Sequence, residues 1–328
     1  MSMITRRNFL TAAAMAAAGS SLTWAAEPPK ELIIDIHQHL AYGGKRDKQG
    51  RQIGPGRTDA QFIQHQHNMG VTQTIVLPAG RPCNRPSTHD GFSNGLEATC
   101  AGDEVCVAFV KAHGGEYFFG ANEVPDLEDA PKVIENYLKQ GAVVIGEQKF
   151  GVECDSPAMQ ALYQLAADYK VPILMHWQFG SYNYGYERFD KMLAKYPKTT
   201  FVGHAQTFWA HIDKNYKDDA KNLYPKGKVT PGGLTERYLS EYPNFVGDLS
   251  AGSANNALTR DPDYARDFIE RFQNKLVFGS DCSDHFGYGI NCTGSQTIQA
   301  IRQLAPGKAI ERKLFCENAR RIFRLQAN

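Results

Sequence analysis

Short runs of β-branched and other apolar residues alternate along the chain with longer stretches whose apolar positions recur every three or four residues. The runs lie at 32–37, 73–77, 117–121, 142–149, 171–176, 200–204, 244–249 and 275–281. Bounded by Gly, Pro and polar residues, they read as buried parallel strands, and the stretches between them as amphipathic helices. Ser156 is placed to cap one of those helices, Pro157 suits its first position, and Leu162, Leu165 and Ala166 repeat at helical spacing. Eight strand and helix units in 328 residues predict an α/β fold closed as a (β/α)8 TIM barrel, with a doubly wound open sheet as the structural alternative. Three long connections, at 41–57, 78–91 and 205–233, each follow a strand, where a barrel builds its ligand-binding face. No repeat or low-complexity linker divides residues 27–328, which therefore read as one domain.

Charge narrows the partners. Lys and Arg number 36 against 35 Asp and Glu, a net charge of +1. That balance lacks the clustered basic field that phosphate backbones require, so no nucleic-acid partner is expected. The long uncharged stretch 8–26 is Ala-rich, follows Arg6 and Arg7, and ends in Ala25 and Ala26. This layout is that of an export signal, expected over residues 1–26 and too weakly hydrophobic for a stable membrane anchor. Its Thr5-Arg6-Arg7-Asn8-Phe9-Leu10 core resembles the twin-arginine signal, with Thr11 where that signal usually has Lys. The resemblance implies the twin-arginine export machinery as a partner and a periplasmic or secreted mature protein. Seven cysteines leave at least one unpaired within the chain. Cys100 with Cys106 and Cys282 with Cys292 are candidate disulfides, and no Cys-x-x-Cys pair suggests a cysteine metal site.

Polar residues interrupt the apolar runs at their C-terminal ends. In Asp35-Ile36-His37-Gln38-His39, strand alternation points His37 and His39 the same way, and two imidazoles so spaced can grip a metal ion. His176, His204 and Asp281 close the fifth, sixth and eighth runs in the same manner, so the histidine pair does not stand alone. Glu147 and Lys149, two apart in the fourth run, can both face a barrel interior.

The stretches IDIHQHL, GAVVIGEQKF, VPILMHW, FVGHAQ, LVFGSDCSDH and LFCENARRIF span nearly the whole mature chain. Together they resemble the amidohydrolase superfamily, in its amidohydrolase-related branch. Its members are metal-dependent (β/α)8 enzymes, mostly hydrolases, with some decarboxylases and hydratases. The resemblance implies that His37, His39, His176 and Asp281 are metal ligands and that Asp281 also accepts the proton of an activated water. It implies His204 as a second-metal ligand or a catalytic acid/base. In two-metal members a Glu or carboxylated Lys of the fourth strand bridges the ions, so Glu147 is a conditional ligand. One divalent ion is favoured over two, with Zn2+ suited to the histidine-rich donor set. Lys149 is expected to contact an oxyanion or a substrate carboxylate, or else to pair with Glu147 or Glu153.

Candidate substrate contacts are Trp177, amid the aromatic cluster Phe179, Tyr182, Tyr184 and Tyr186, together with Arg81 and His285. His65 and His67 read as solvated positions on a helix. The function expected is a metal-dependent hydrolase opening an amide or lactone bond of a small cyclic or aromatic substrate through metal-activated water. A decarboxylase of the same superfamily and a non-catalytic metal- or ligand-binding barrel are the alternatives.

Overall fold

The computed structural model describes residues 31–44, 54–89 and 100–326; the expected export signal at 1–26 lies outside them, as do parts of the first two long connections. Eight strands form where the apolar runs lie. They are β1 (Ile34–Gln38), β2 (Gln73–Val76), β3 (Tyr117–Phe119), β4 (Ile145–Gln148), β5 (Ile173–His176), β6 (Phe201–His204), β7 (Phe245–Asp248) and β8 (Leu276–Val277). They run parallel and pair in chain order, β1 to β3 in one set and β4 to β8 in the other.

Backbone hydrogen bonds close both seams between the sets. The Ala121 N–H reaches Val144 O at 2.8 Å and the Gly146 N–H reaches Ala121 O at 2.9 Å, continuing β3 onto β4. At the other seam, the Ile36 N–H reaches Phe278 O at 3.2 Å and the Asp281 N–H reaches His37 O at 2.8 Å. The Asp35 carboxylate reinforces this seam by accepting the Ser280 N–H at 2.9 Å and the Gln66 side chain at 3.2 Å. The fold is thus the expected (β/α)8 barrel rather than an open doubly wound sheet, whose strands would not pair in chain order.

Inside the barrel, Ile34, Ile75, Val144, Leu174, Val202, Val246 and Val277 belong to one apolar cluster with Ile322 and Phe323 of the C-terminal helix Asn318–Phe323. Each such side chain contributes about 1.5–3 kcal/mol on full burial. This floor offsets the desolvation of what lies above it. Alternation places His176 over Leu174, His204 over Val202 and Asp248 over Val246, so the next inward layer is polar.

Outer helices form where the sequence signals them. Ser156 caps the helix Pro157–Tyr169 by accepting the Met159 N–H at 3.3 Å. The third long connection begins as the helix Ala205–Ala210, whose Phe208 and Trp209 are buried in the core. Among the described residues no helix is long and apolar enough to cross a membrane. All seven cysteines are free thiols, which corrects both candidate disulfides. Cys282 Sγ and Cys292 Sγ lie 3.6 Å apart, whereas a disulfide holds its sulfurs at about 2.05 Å.

Candidate metal centre

At the barrel mouth three buried side chains and the nearly buried Asp281 each leave one polar atom bare. These are His37 Nε2, His39 Nε2, Glu147 Oε2 and Asp281 Oδ1, and none has a hydrogen-bond partner. Glu147 Oε2 lies 3.4 Å from His37 Nε2 and 3.3 Å from His39 Nε2. Asp281 Oδ1 lies 3.8 and 3.7 Å from the same two nitrogens. The remaining carboxylate oxygens face a second group. Glu147 Oε1 is 2.5 Å from His176 Nδ1 and 3.6 Å from His204 Nε2, and Asp281 Oδ2 is 3.6 Å from His204 Nε2. Glu147 thus belongs to two donor sets, with His37 and His39 and with His176 and His204, and Asp281 joins His37 of the first to His204 of the second. A buried polar atom left bare costs about 1–3 kcal/mol. Two imidazole nitrogens, each within 3.8 Å of both carboxylate oxygens, fit a divalent cation such as zinc.

The hydrogen bonds behind the donors fix their tautomers. His39 Nδ1 is 2.9 Å from Leu77 O; a carbonyl only accepts, so the proton sits on Nδ1 and the Nε2 lone pair faces the centre. His37 Nδ1 donates to Asp248 Oδ2 at 2.7 Å. His204 Nδ1 is 3.2 Å from that same oxygen and 2.9 Å from Ser250 Oγ, which donates to Asp248 at 2.7 Å. One carboxylate thereby orients a histidine of each set, an arrangement that holds ring orientation and raises ligand basicity. Gly279 makes room for it. A Cβ there would sit 2.6 Å from Asp248 Oδ1 and 2.9 Å from His37 Cβ.

Electrostatics show what the site demands. Burial opposes charge on His39, yet Cys100 and then Glu147 outweigh it and raise the imidazole to about 10. At His37 burial is likewise outweighed, by Asp281 and Glu147, and the ring is raised. Against the same burial, His37 and its neighbours hold Asp281 and Glu147 low. His176 differs, since burial, reinforced by Lys149, lowers it to about 4 and leaves a neutral donor. The carboxylates thus draw positive charge to this centre, supplied by protons or by a metal ion that displaces them.

Of the residues expected from sequence, His37, His39, Glu147, His176, His204 and Asp281 converge. His176 joins through the second donor set, with Glu147 between it and the first. Lys149 stands beside that second set, nearly buried, with Nζ 5.5 Å from the Tyr182 ring centroid. Glu153, one of its expected partners, is taken by Arg188. His285 lies against Gly43, next to Tyr42. Trp177 and Arg81 are not brought to the centre. Trp177 follows the inward-facing His176 and so turns outward, fully buried with ring centroids 4.9 Å from Tyr186 and 4.6 Å from Phe189. Arg81 is held by Glu123 at 2.8 Å and by Asp129.

Sequence reading missed Asp248, Ser250, Tyr42 and Cys100. The Tyr42 hydroxyl bonds Asp281, and the Cys100 thiol interacts with His39. Asp248 carried a usable signal, because it closes an apolar run just as His176 and His204 do. Tyr42 and Cys100 sit in connections, where no periodicity marks an inward position.

No curated protein matches the sequence. Among solved structures the chain is similar to an uncharacterized TIM-barrel protein from Bordetella bronchiseptica, at 16% identity and TM-score 0.59, covering 90% of this chain and 99% of that one. It is also similar to a probable 2-pyrone-4,6-dicarboxylic acid hydrolase from Acinetobacter baumannii with citric acid bound, at 13% identity and TM-score 0.55, covering 89% and 98%. A 2,6-dihydroxybenzoate decarboxylase from Rhizobium is similar at 12% identity and TM-score 0.52, covering 90% and 100%. These likenesses show the fold. A family model described as amidohydrolase matches residues 34–325, from β1 through the C-terminal helix and including every donor described above. The chain belongs to the amidohydrolase family of metal-dependent TIM-barrel enzymes.

Proposed function

We propose that this chain is a hydrolase that opens an amide or lactone bond of a small cyclic or aromatic substrate, using two divalent ions. Two ions replace the one favoured from sequence because Glu147 presents a separate oxygen to each donor set. Zinc suits a set of imidazoles and carboxylates. A divalent ion bound there would acidify a water molecule and polarise the carbonyl under attack.

The observation that carries the hydrolytic reading is the placement of Asp281, with one oxygen toward each donor set. Asp281 is held anionic and nearly buried, so it can take the proton of an attacking water and return it to the leaving group. The Tyr42 hydroxyl on the same carboxylate orients it. Lys149 offers a fixed positive charge beside His176 for a substrate carboxylate or a developing oxyanion. The Arg6-Arg7 leader supports a further part of the proposal, that residues 27–328 act after export through the twin-arginine route.

Turnover in oxygen-18 water tests this reading, with the zinc-loaded chain screened against lactones, amides and aromatic carboxylates. One labelled oxygen in the product is expected. Carbon dioxide released without label in the product would make the chain a decarboxylase instead, in keeping with the similar decarboxylase structure.

A further inference from the structure

Outside the catalytic centre, a second group of donors lies on the connection after β8. His65, Cys282, Asp284 and Cys292 each offer one ligand atom, all within 4.8 Å of one another. Cys282 Sγ is 3.6 Å from Cys292 Sγ, Cys292 Sγ is 3.7 Å from His65 Nε2, and His65 Nε2 is 3.6 Å from Asp284 Oδ2. A tetrahedral zinc, with bonds of about 2.3 Å to sulfur and about 2.0–2.1 Å to nitrogen or oxygen, requires edges of about 3.8, 3.5 and 3.4 Å for these three pairs. The observed edges agree within about 0.3 Å. We propose that these four residues form a structural zinc site, separate from the catalytic ions and independent of the reaction proposed above.

The surroundings fit that assignment. Cys282 is 2% exposed, and Cys292 and His65 are fully buried, so protein closes the site and leaves no open position for substrate. Paired thiolates with an imidazole select zinc over magnesium or calcium. Two thiolates and a carboxylate exceed the charge of a zinc ion by one. The buried Arg57 guanidinium lies alongside to balance it, donating to Cys282 O at 3.1 Å and Asp284 O at 2.8 Å.

Local backbone presents the donors. Asp284 Oδ2 accepts the Phe286 and Gly287 N–H groups at 3.0 and 2.6 Å. Cys292 caps the helix Thr293–Leu304, its Sγ accepting the Ser295 N–H at 3.3 Å. Gly294 lets that helix end approach, since a Cβ there would lie 2.6 Å from Ser280 Cβ and 2.7 Å from Met69 Sδ. A zinc ion held here would tie the β8 connection to the helix Asp59–Met69, starting one residue beyond Asp281.

The test uses the full chain, expressed with zinc and purified anaerobically with a reductant. Zinc absorption spectroscopy of the wild type is expected to show sulfur scatterers at about 2.3 Å. Cys282→Ser/Cys292→Ser should hold one zinc fewer per chain and lose the sulfur signal, whereas Glu147→Gln should keep it. Should the double variant not fold, an organomercurial titration of the wild type decides, with one zinc expected to leave as two thiols react. The proposal is overturned by a zinc shell without sulfur, by zinc release that does not follow thiol reaction, or by a Cys282–Cys292 disulfide in peptide maps of the anaerobic protein.

Discussion

Replacing Asp248 by Asn keeps the side chain's shape while removing a charge that two ligand histidines share. Asp248 Oδ2 is 2.7 Å from His37 Nδ1 and 3.2 Å from His204 Nδ1, so one oxygen supports both donor sets. Burial would push this carboxyl up, yet His204 and His37 hold it low, so it is charged at neutral pH. Hydrogen bonds to a charged partner contribute about 1.5–3 kcal/mol, and neutral ones about 0.5–1.5 kcal/mol. Each histidine therefore loses about 1–1.5 kcal/mol of support, or about 2–3 kcal/mol for the pair. At about 1.4 kcal/mol per tenfold, Asp248→Asn should weaken the combined binding of the catalytic ions by about 30- to 150-fold. That range overlaps the tenfold to hundredfold typical of carboxylates that orient metal-bound histidines. The assay is titration of the metal-free chain with zinc against a chromophoric chelator, with circular dichroism to verify folding. A folded Asp248→Asn chain that binds zinc as tightly as wild type would refute the positioning role.

Other predictions address separate parts of the molecule. Glu147→Gln should strip the catalytic ions on dialysis, since both donor sets lose a charged oxygen; full retention would contradict the shared-ligand geometry. Asp281→Asn should lower turnover by at least about 10²-fold, and a smaller loss would remove Asp281 from the role of base. Asp103, which is 8% exposed and accepts the Asn122 N–H at 3.0 Å, is raised by burial to about 8. Because its folded value exceeds the unfolded one, the folded state binds the proton more tightly, and stability falls as pH rises from about 4 to about 8. Asp103→Asn should accordingly raise Tm much more at about pH 8.5 than near pH 5, whereas equal shifts at both would contradict the linkage. Arg6→Lys/Arg7→Lys should leave the uncleaved chain in the cytoplasm; normal export of that variant would rule out the twin-arginine route.

The barrel was legible because its strands are covered on both faces, which makes their runs uniformly apolar and sets off the polar residues at their ends. His37, His39, His176, His204 and Asp281 stand out for that reason. The central role of Glu147 was not legible, since sequence alone presents Glu147 and Lys149 as equivalent inward positions. Only the path of the chain at β4 decides which reaches the histidines. Trp177 was misplaced by aromatic crowding, although the alternation that turns His176 inward turns its neighbour out. Arg81 and His65 depended on distant partners. Glu123 and Asp129 lie 42 and 48 residues beyond Arg81, and His65, read as solvated, is fully buried beside Cys292, 227 residues away.

Anomalous scattering from crystals of the zinc-loaded chain tests the two-ion centre most directly. Two peaks are expected at the barrel mouth, one among His37, His39, Glu147 and Asp281 and the other among Glu147, His176 and His204, with the Glu147 carboxylate between them. A lone peak held by His37, His39, His176 and Asp281, with Glu147 turned away, would contradict it.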